Sequence, residues 1–360
     1  MSFKTFCYFL AIFVSACVFA SCKGPIPDDH EGTTEGPEAD FYISSNDSGL
    51  TLSFSNFNIA NTDSFTIQVN KQPAAFRMLP DKLMFIPHDS VPPGRNIINF
   101  AYRKNGVNDT LNKVYFHVLN ISYKVVNTYP HNRNYFTQGL LFTENGDLVE
   151  STGLTGQSRI LFYRKTGAKT FKPVDSIVNQ GQEFGEGIAI VGHQLVQLLW
   201  QNGYIRIYDK STRKHLRNLE YAREGWGICN DGNIIYTSDG SGYIHQIDIS
   251  GDKVNILKSI QISDENGLIQ HINELEFANG LIFANIWQTA MVYVIDPRAG
   301  LVIGKIDLSS LAMKEMQMNN TIDVLNGIAY NPSKNTYLLT GKNWGFFYEI
   351  QLEENLVTPQ

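Results

Sequence analysis

Along residues 123–352 the apolar positions come in short runs bounded by Gly, Asn, Asp or Pro, the pattern of strands joined by tight turns. Five of these runs open with a polar or aromatic residue and, in four cases, a glycine: Gln138-Gly139, Glu186-Gly187, Trp226-Gly227, Asn273-Glu274 and Asn326-Gly327. Their spacings of 48, 40, 47 and 53 average about 47 residues, close to the length of a four-stranded propeller blade. Each lead run is followed by turn residues and a second run; Glu144-Asn145-Gly146, Asn230-Asp231-Gly232 and Asn279-Gly280 show the pattern. Third strands are predicted at Ile160–Tyr163, Tyr204–Tyr208, Tyr243–Asp248, Met291–Asp296 and Phe346–Gln351. The last unit runs out of chain one strand short, and Tyr123–Thr128 is a spare strand; it is predicted to close the ring as the fourth strand of that unit.

Upstream, Leu50–Phe54, Phe65–Val69 and Val114–Val118 alternate in the manner of half-buried strands. The expected fold is therefore all-β: a five-bladed β-propeller over 121–352, preceded by a small immunoglobulin-like β-sandwich over 41–119. No residue of that sandwich offers a chemistry.

The first 21 residues carry one charge, Lys4, and an apolar stretch from Phe6 to Ala20 that is too short to span a bilayer and fits a signal peptide. Its end, Phe19-Ala20-Ser21-Cys22, resembles a bacterial lipobox, which implies cleavage before Cys22 and acylation of that thiol. Residues 22–40, rich in Gly, Pro, Asp and Glu, suit a disordered tether, so a lipid-anchored protein of the bacterial cell envelope is expected. Cys7 and Cys17 leave with the leader and Cys22 is acylated, which makes Cys229 the remaining free thiol and excludes a disulfide framework or a Cys-based zinc site. Loss of Lys4 leaves 28 basic against 35 acidic side chains with no basic run, so nucleic acid is not an expected partner. A monomer is expected.

In a propeller the start of the innermost strand and the end of its neighbour share a face. The five lead residues should then meet the ends of the second strands, Thr152, Trp200, Asp239, Trp287 and Lys342. Three of the four tryptophans of the chain fall in this set, and the fourth, Trp344, lies two residues past Lys342. Among the lead residues only Glu186 is an acid. Walled by indoles it would be desolvated and its pKa raised toward neutrality, where a carboxyl can shuttle a proton. The alternative for Glu186 is a structural acid bonded to backbone N–H groups, and for Lys342 an ion-pair partner.

The same segments resemble the glutamine cyclotransferase family, the plant-type glutaminyl-peptide cyclotransferases. They include Tyr129-Pro-His-Asn-Arg-Asn-Tyr-Phe-Thr-Gln-Gly-Leu140, Phe184-Gly-Glu-Gly-Ile188, Glu224-Gly-Trp-Gly-Ile228, Asn273-Glu-Leu-Glu276, Ala284-Asn-Ile-Trp-Gln-Thr289, Leu325-Asn-Gly-Ile-Ala329 and Thr340-Gly-Lys342. The resemblance covers about Tyr123 to Leu352 and implies a five-bladed propeller that converts N-terminal glutamine of peptides or proteins to pyroglutamate with release of ammonia. It implies Glu186 and Lys342 as catalytic residues and Phe136, Gln138, Phe184, Trp226, Asn273 and Trp287 as substrate-binding ones. No cofactor is needed for that reaction; a structural cation in the channel is compatible with it. Two departures stand out: Asn132-Arg133 where the family has Asp-Pro, and Ala290 where it has Asp after Trp-Gln-Thr. The second removes an acid that would partner the substrate ammonium or a neighbouring cation. Two rival readings are a ligand-binding propeller without turnover and a metal-dependent lactonase. Against the latter, His131, His193, His245 and His271 lie in different units without paired ligand spacing, and read as surface or satisfied core groups.

Overall fold

In the computed structural model, which describes residues 38–46, 48–80, 83–167, 169–353 and 356, the turn signals become antiparallel hairpins throughout. The expected leader, Cys22 and the expected tether up to residue 37 lie outside the described residues. Asn279 and Gly280 adopt φ of 54° and 81° and join Ile272–Ala278 to Leu281–Ile286 as a two-residue turn, a backbone that Asn-Gly tolerates and most residues do not.

Three sheets consist of four strands consecutive in the chain, and a fourth is built around four such strands. The first runs Thr137–Phe142, Leu148–Thr152, Arg159–Lys165 and Phe171–Val178; the second Gly185–Val191, Gln194–Leu199, Tyr204–Asp209 and His215–Glu220. The third runs Ile228–Asn230, Ile235–Ser238, Tyr243–Asp248 and Asn255–Gln261; the fourth Ile272–Ala278, Leu281–Ile286, Met291–Asp296 and Leu301–Asp307. The outer strand of the fourth is extended by Ser263–Asp264 and by Leu119–Asn120, both in parallel pairing. A further sheet is composite: Tyr123–Pro130 pairs with Phe346–Leu352, which continues to Thr336–Gly341 and Leu325–Asn331. The spare strand thus takes the place its sequence suggested.

Apolar residues pack between successive sheets. Leu141, Val149 and Phe162 of the first meet Ile188, Leu195 and Tyr208 of the second. Val196 and Ile207 then meet Ile228 and Ile247, and Tyr236 and Ile244 meet Leu275 and Ile295. Phe283 and Val294 meet Ile328 and Leu339, and Ala329 and Leu338 return to Leu140 and Leu161 of the first sheet. Five shared cores in cyclic order make a propeller-like arrangement of sheets whose lead strands face one axis.

The lead pairs have a local cause that alternation alone does not reveal. Pairing shifts register between Thr137 and Gly139, between Gly185 and Ile188, between Ile272 and Leu275, and between Leu325 and Ile328. Gln138, Glu186, Asn273 and Asn326 therefore sit in β-bulges, which re-aim a side chain out of the ladder. Small partners are required there: a Cβ on Gly227 would stand 2.1 Å from the Asn273 carbonyl oxygen, and one on Gly187 would stand 2.7 Å from that of Trp226.

Ahead of these sheets, two more four-stranded antiparallel sheets share a core of Phe41, Leu50, Leu52, Ile67, Met84, Ile98 and Phe100. One element departs from the all-strand reading. Residues Ser309–Met318 form an α-helix, which accounts for the longest spacing between lead pairs. Its buried Glu315 accepts hydrogen bonds from the Gly345 N–H and the Tyr348 hydroxyl.

Candidate active site

The ends of the second strands fall one residue beyond the ladder. Gln194–Leu199, Leu281–Ile286 and Thr336–Gly341 stop just before Trp200, Trp287 and Lys342, so these side chains project from strand ends toward the bulged residues. Together they line a cavity of about 430 Å³ with Phe136, Gln138, Phe184, Glu186, Trp226 and Asn273. Every site residue expected from the sequence, Cys22 apart, borders this one cavity. Asp239, Asn326 and Thr152 do not line it: Asp239 is held by Arg223 and His245, and Asn326 stands behind Gln138. Trp344 is fully buried in the core.

The polar floor is ordered. Asn326 Nδ2 donates to Gln138 Oε1 at 2.8 Å, which fixes that amide so that its Nε2 donates to Glu186 Oε1 at 2.9 Å. Burial raises the Glu186 pKa well above the ordinary carboxylate value; the Lys342 ammonium draws it back down and Glu224 pushes it up. Lys342 is itself buried, which lowers its pKa, and the charges of Glu186 and Asp323 oppose that shift. Its ammonium stands 4.8 Å from the centre of the Phe136 ring. Asn273 Oδ1 is buried and has no hydrogen-bond partner among the described residues.

The walls are aromatic and interlocked. Phe136 meets Phe184 edge to face at 6.3 Å, and Phe184 meets Trp200 at 5.5 Å. Trp226 and Trp287 are nearly perpendicular at 5.7 Å, and His271 also packs on Trp287. Gly153 and Gly240 are open cradles: a Cβ on either would lie 2.5 to 2.6 Å from the rings of Phe184 or Trp226. Leu154 and Gln288, which line the cavity, and His271 and Asn343, next in sequence to or packed on residues that do, carry positive φ between 62° and 77°, backbone strain of the kind that gathers at functional sites.

Three features escape the sequence reading. Glu224 accepts the indole N–H groups of both Trp200 and Trp226. Asp323 borders the cavity and supplies an acid near Lys342, although position 290 is Ala and does not line it. Glu186 is the one acid among the lead residues, yet the axis also holds a second carboxylate, from the residue that follows Asn273. Glu274 is buried deeper in the ring and accepts the backbone N–H of Leu140 at 3.2 Å and of Ile328 at 3.0 Å, from two other lead strands. The histidines are dispersed as their spacing suggests: His131 bonds Glu150 and the Trp344 carbonyl, and His245 bonds Ser259 and Asp239. Among the described residues no cluster of three or more His, Cys, Asp or Glu has the geometry to hold a metal.

Propeller-like sheets with an aromatic cup at one mouth define a class, and comparison places the chain within it. Residues 101–352 match the family model for glutamine cyclotransferase. The glutaminyl-peptide cyclotransferase of Arabidopsis thaliana is 33% identical over 233 residues, 64% of this chain and 71% of that one. The crystal structure of Myxococcus xanthus glutaminyl cyclase shares 33% identity with a TM-score of 0.59, covering 66% of this chain and 98% of its own. The chain belongs to the glutamine cyclotransferase family.

Proposed function

We propose that this protein converts the N-terminal glutamine of peptides or proteins to pyroglutamate with release of ammonia, and that Glu186 carries the proton. The observation that supports this most is the position of Glu186: buried, raised in pKa, oriented by Gln138 and bordering an aromatic cavity that also holds Lys342. The substrate α-amine attacks its own γ-carbonyl as the free base, and its pKa of about 7.7–8.0 leaves a useful neutral fraction near pH 7. Ionised Glu186 takes a proton from that nitrogen as the C–N bond forms and delivers it to the departing ammonia as the C–N bond of the side-chain amide breaks. Lys342 meets the negative charge on the former carbonyl oxygen. Asn273 Oδ1, the acceptor without a partner, receives an N–H of the substrate amine, and the Phe and Trp walls fold the glutamine methylenes toward the five-membered ring.

In this scheme the nucleophile is part of the substrate and no metal takes part. Ammonia release from a glutaminyl dipeptide, measured with and without a chelator and with Glu186→Gln, tests it. Release that survives chelation and is lost in the variant is expected; release abolished by the chelator, or retained by the variant, overturns it.

We further read residues 121–352 as a five-bladed propeller and 41–119 as an immunoglobulin-like sandwich, with the five shared cores and the paired upstream sheets as support. Residues 1–21 are then a lipoprotein leader, Cys22 the acylated anchor and the segment from 22 up to the first strand at Asp40 the tether that carries a monomer at the bacterial cell envelope. Metabolic labelling with a fatty-acid analogue, lost on Cys22→Ala, tests the anchor.

A further inference from the structure

Glu224 lies on the connection between the second and third sheets; its charge is felt at Glu186, and its side chain touches both walls of the cup. Its Oε2 accepts Trp200 Nε1 at 2.9 Å and Trp226 Nε1 at 3.0 Å, while Oε1 accepts Gln201 Nε2 at 2.7 Å. Trp200 directly follows the second strand of one sheet and Trp226 leads into the third sheet, so a single carboxylate bridges two structural units. All three partners are donors. An ionised carboxylate is acceptor-only, and one oxygen serving two N–H groups uses both of its lone pairs.

The surrounding backbone leaves this carboxylate little alternative. The Gly225 N–H donates to the Trp200 carbonyl at 3.2 Å, and a Cβ on Gly225 would stand 2.9 Å from that of Leu198, so the connection is pressed against the strand end that bears Trp200. Trp226 lies over Gly240 and packs edge-on against Trp287. Through Trp200 the bridge reaches Phe184, and through Trp226 it reaches Trp287.

We propose that Glu224 is a positioning residue of the cyclisation, whose carboxylate locks the indoles of Trp200 and Trp226 into one rigid wall before substrate arrives. This rests on the reading of the cup as the cyclisation site. Folding a glutamine side chain onto its own amine requires walls that hold one conformer, and a misplacement of about 1 Å costs as much as 10²-fold in rate. A carboxylate that merely attracted the substrate ammonium would act on KM alone and fade with salt. A locked wall acts on kcat and is insensitive to salt.

The test compares the full-length wild type with Glu224→Gln and Glu224→Ala, using a glutaminyl dipeptide for steady-state kinetics and the ligand-free proteins for near-ultraviolet circular dichroism. In Glu224→Ala, kcat is expected to fall about 10- to 100-fold at both low and high salt, with the indole bands weakened. Glu224→Gln keeps a carbonyl acceptor at the same place and is expected to recover part of both signals. Unchanged kcat with unchanged indole bands overturns the proposal, as does a loss confined to KM that salt abolishes. A lowered melting temperature with kcat and KM intact also overturns it. If Glu224→Ala does not fold, the near-isosteric Gln variant decides. Should the wild type release no ammonia, the cyclase reading fails, and the indole bands of the ligand-free variants still judge the lock.

Discussion

Two buried carboxyl groups stand near the same axis, Glu186 at the mouth and Glu274 deeper in, and burial raises the pKa of both. They differ in what surrounds them. Glu186 borders a cavity, accepts one side-chain amide and shares its enclosure with a buried ammonium. Glu274 does not line that cavity; both of its oxygens are taken by backbone N–H groups from two other lead strands, and the charge that acts on it is another acid, Glu276. A raised pKa is therefore not itself a mark of catalysis. A free lone pair beside an accessible volume and an opposing charge make the mouth chemical, whereas saturated backbone bonds make the waist structural.

The largest effect expected is on Glu186→Gln. It keeps the shape and the acceptor for Gln138 but cannot carry the proton, so kcat should fall by about 10² to 10⁴. Its melting temperature should change little, since the amide spares the fold a carboxylate in a dry site but gives up the attraction to the Lys342 ammonium. A variant that loses activity and stability together would erase the contrast between mouth and waist.

Lys342→Met comes next. It keeps an apolar chain of similar length and loses the ammonium that sits over Phe136, for a drop of about 10² to 10³ in kcat, the range for one donor to a developing oxyanion. The sign of the pH effect follows from the electrostatics. Lys342 lowers the Glu186 pKa, so its removal lets that pKa climb further, and the acidic limb of the kcat profile should move to higher pH. A limb that stays fixed or moves to lower pH would show that Glu186 is not the titrating base.

Much of this contrast is legible in the chain and part is not. The lead pairs at blade-length spacing point to a common axis, and the run after each turn places Trp200, Trp287 and Lys342 at its end. Alternation does not reveal that four of the lead pairs are bulges, because a bulge changes register by one residue without changing composition. Glu274 occupies the position that is Gly in the other four pairs, and this substitution was the one sequence signal of its axial role. Glu224 carries no periodic mark. Its significance is a three-dimensional coincidence of two indoles 26 residues apart in the chain. The helix Ser309–Met318 lay hidden in the longest interval, where polar and methionine residues give only a weak apolar stripe.

Glu274→Gln sharpens the comparison from the other side, with the smallest expected change. The amide keeps one acceptor and turns an N–H₂ toward a backbone N–H, so one of the bonds to Leu140 or Ile328 is lost and a buried donor is left unpaired, about 1–3 kcal/mol of destabilisation. The folded-state pKa of Glu274 is raised above the ordinary 4.5, so the stability it contributes is full below that value and declines as pH rises toward its folded pKa. The decline is about 1.4 kcal/mol per pH unit while the folded group stays protonated and the unfolded one does not. Gln does not titrate. The deficit of the variant should hence be greatest near pH 4 and shrink through pH 5 and 6, read as the difference in urea midpoints at matched m-values. In protein that remains folded, kcat should be close to that of the wild type, because Glu274 supports the ring and not the reacting atoms. A deficit that widens with pH would mean that Glu274 is ionised in the fold, and a large fall in kcat without loss of stability would place it in the chemistry that its saturated bonds deny it.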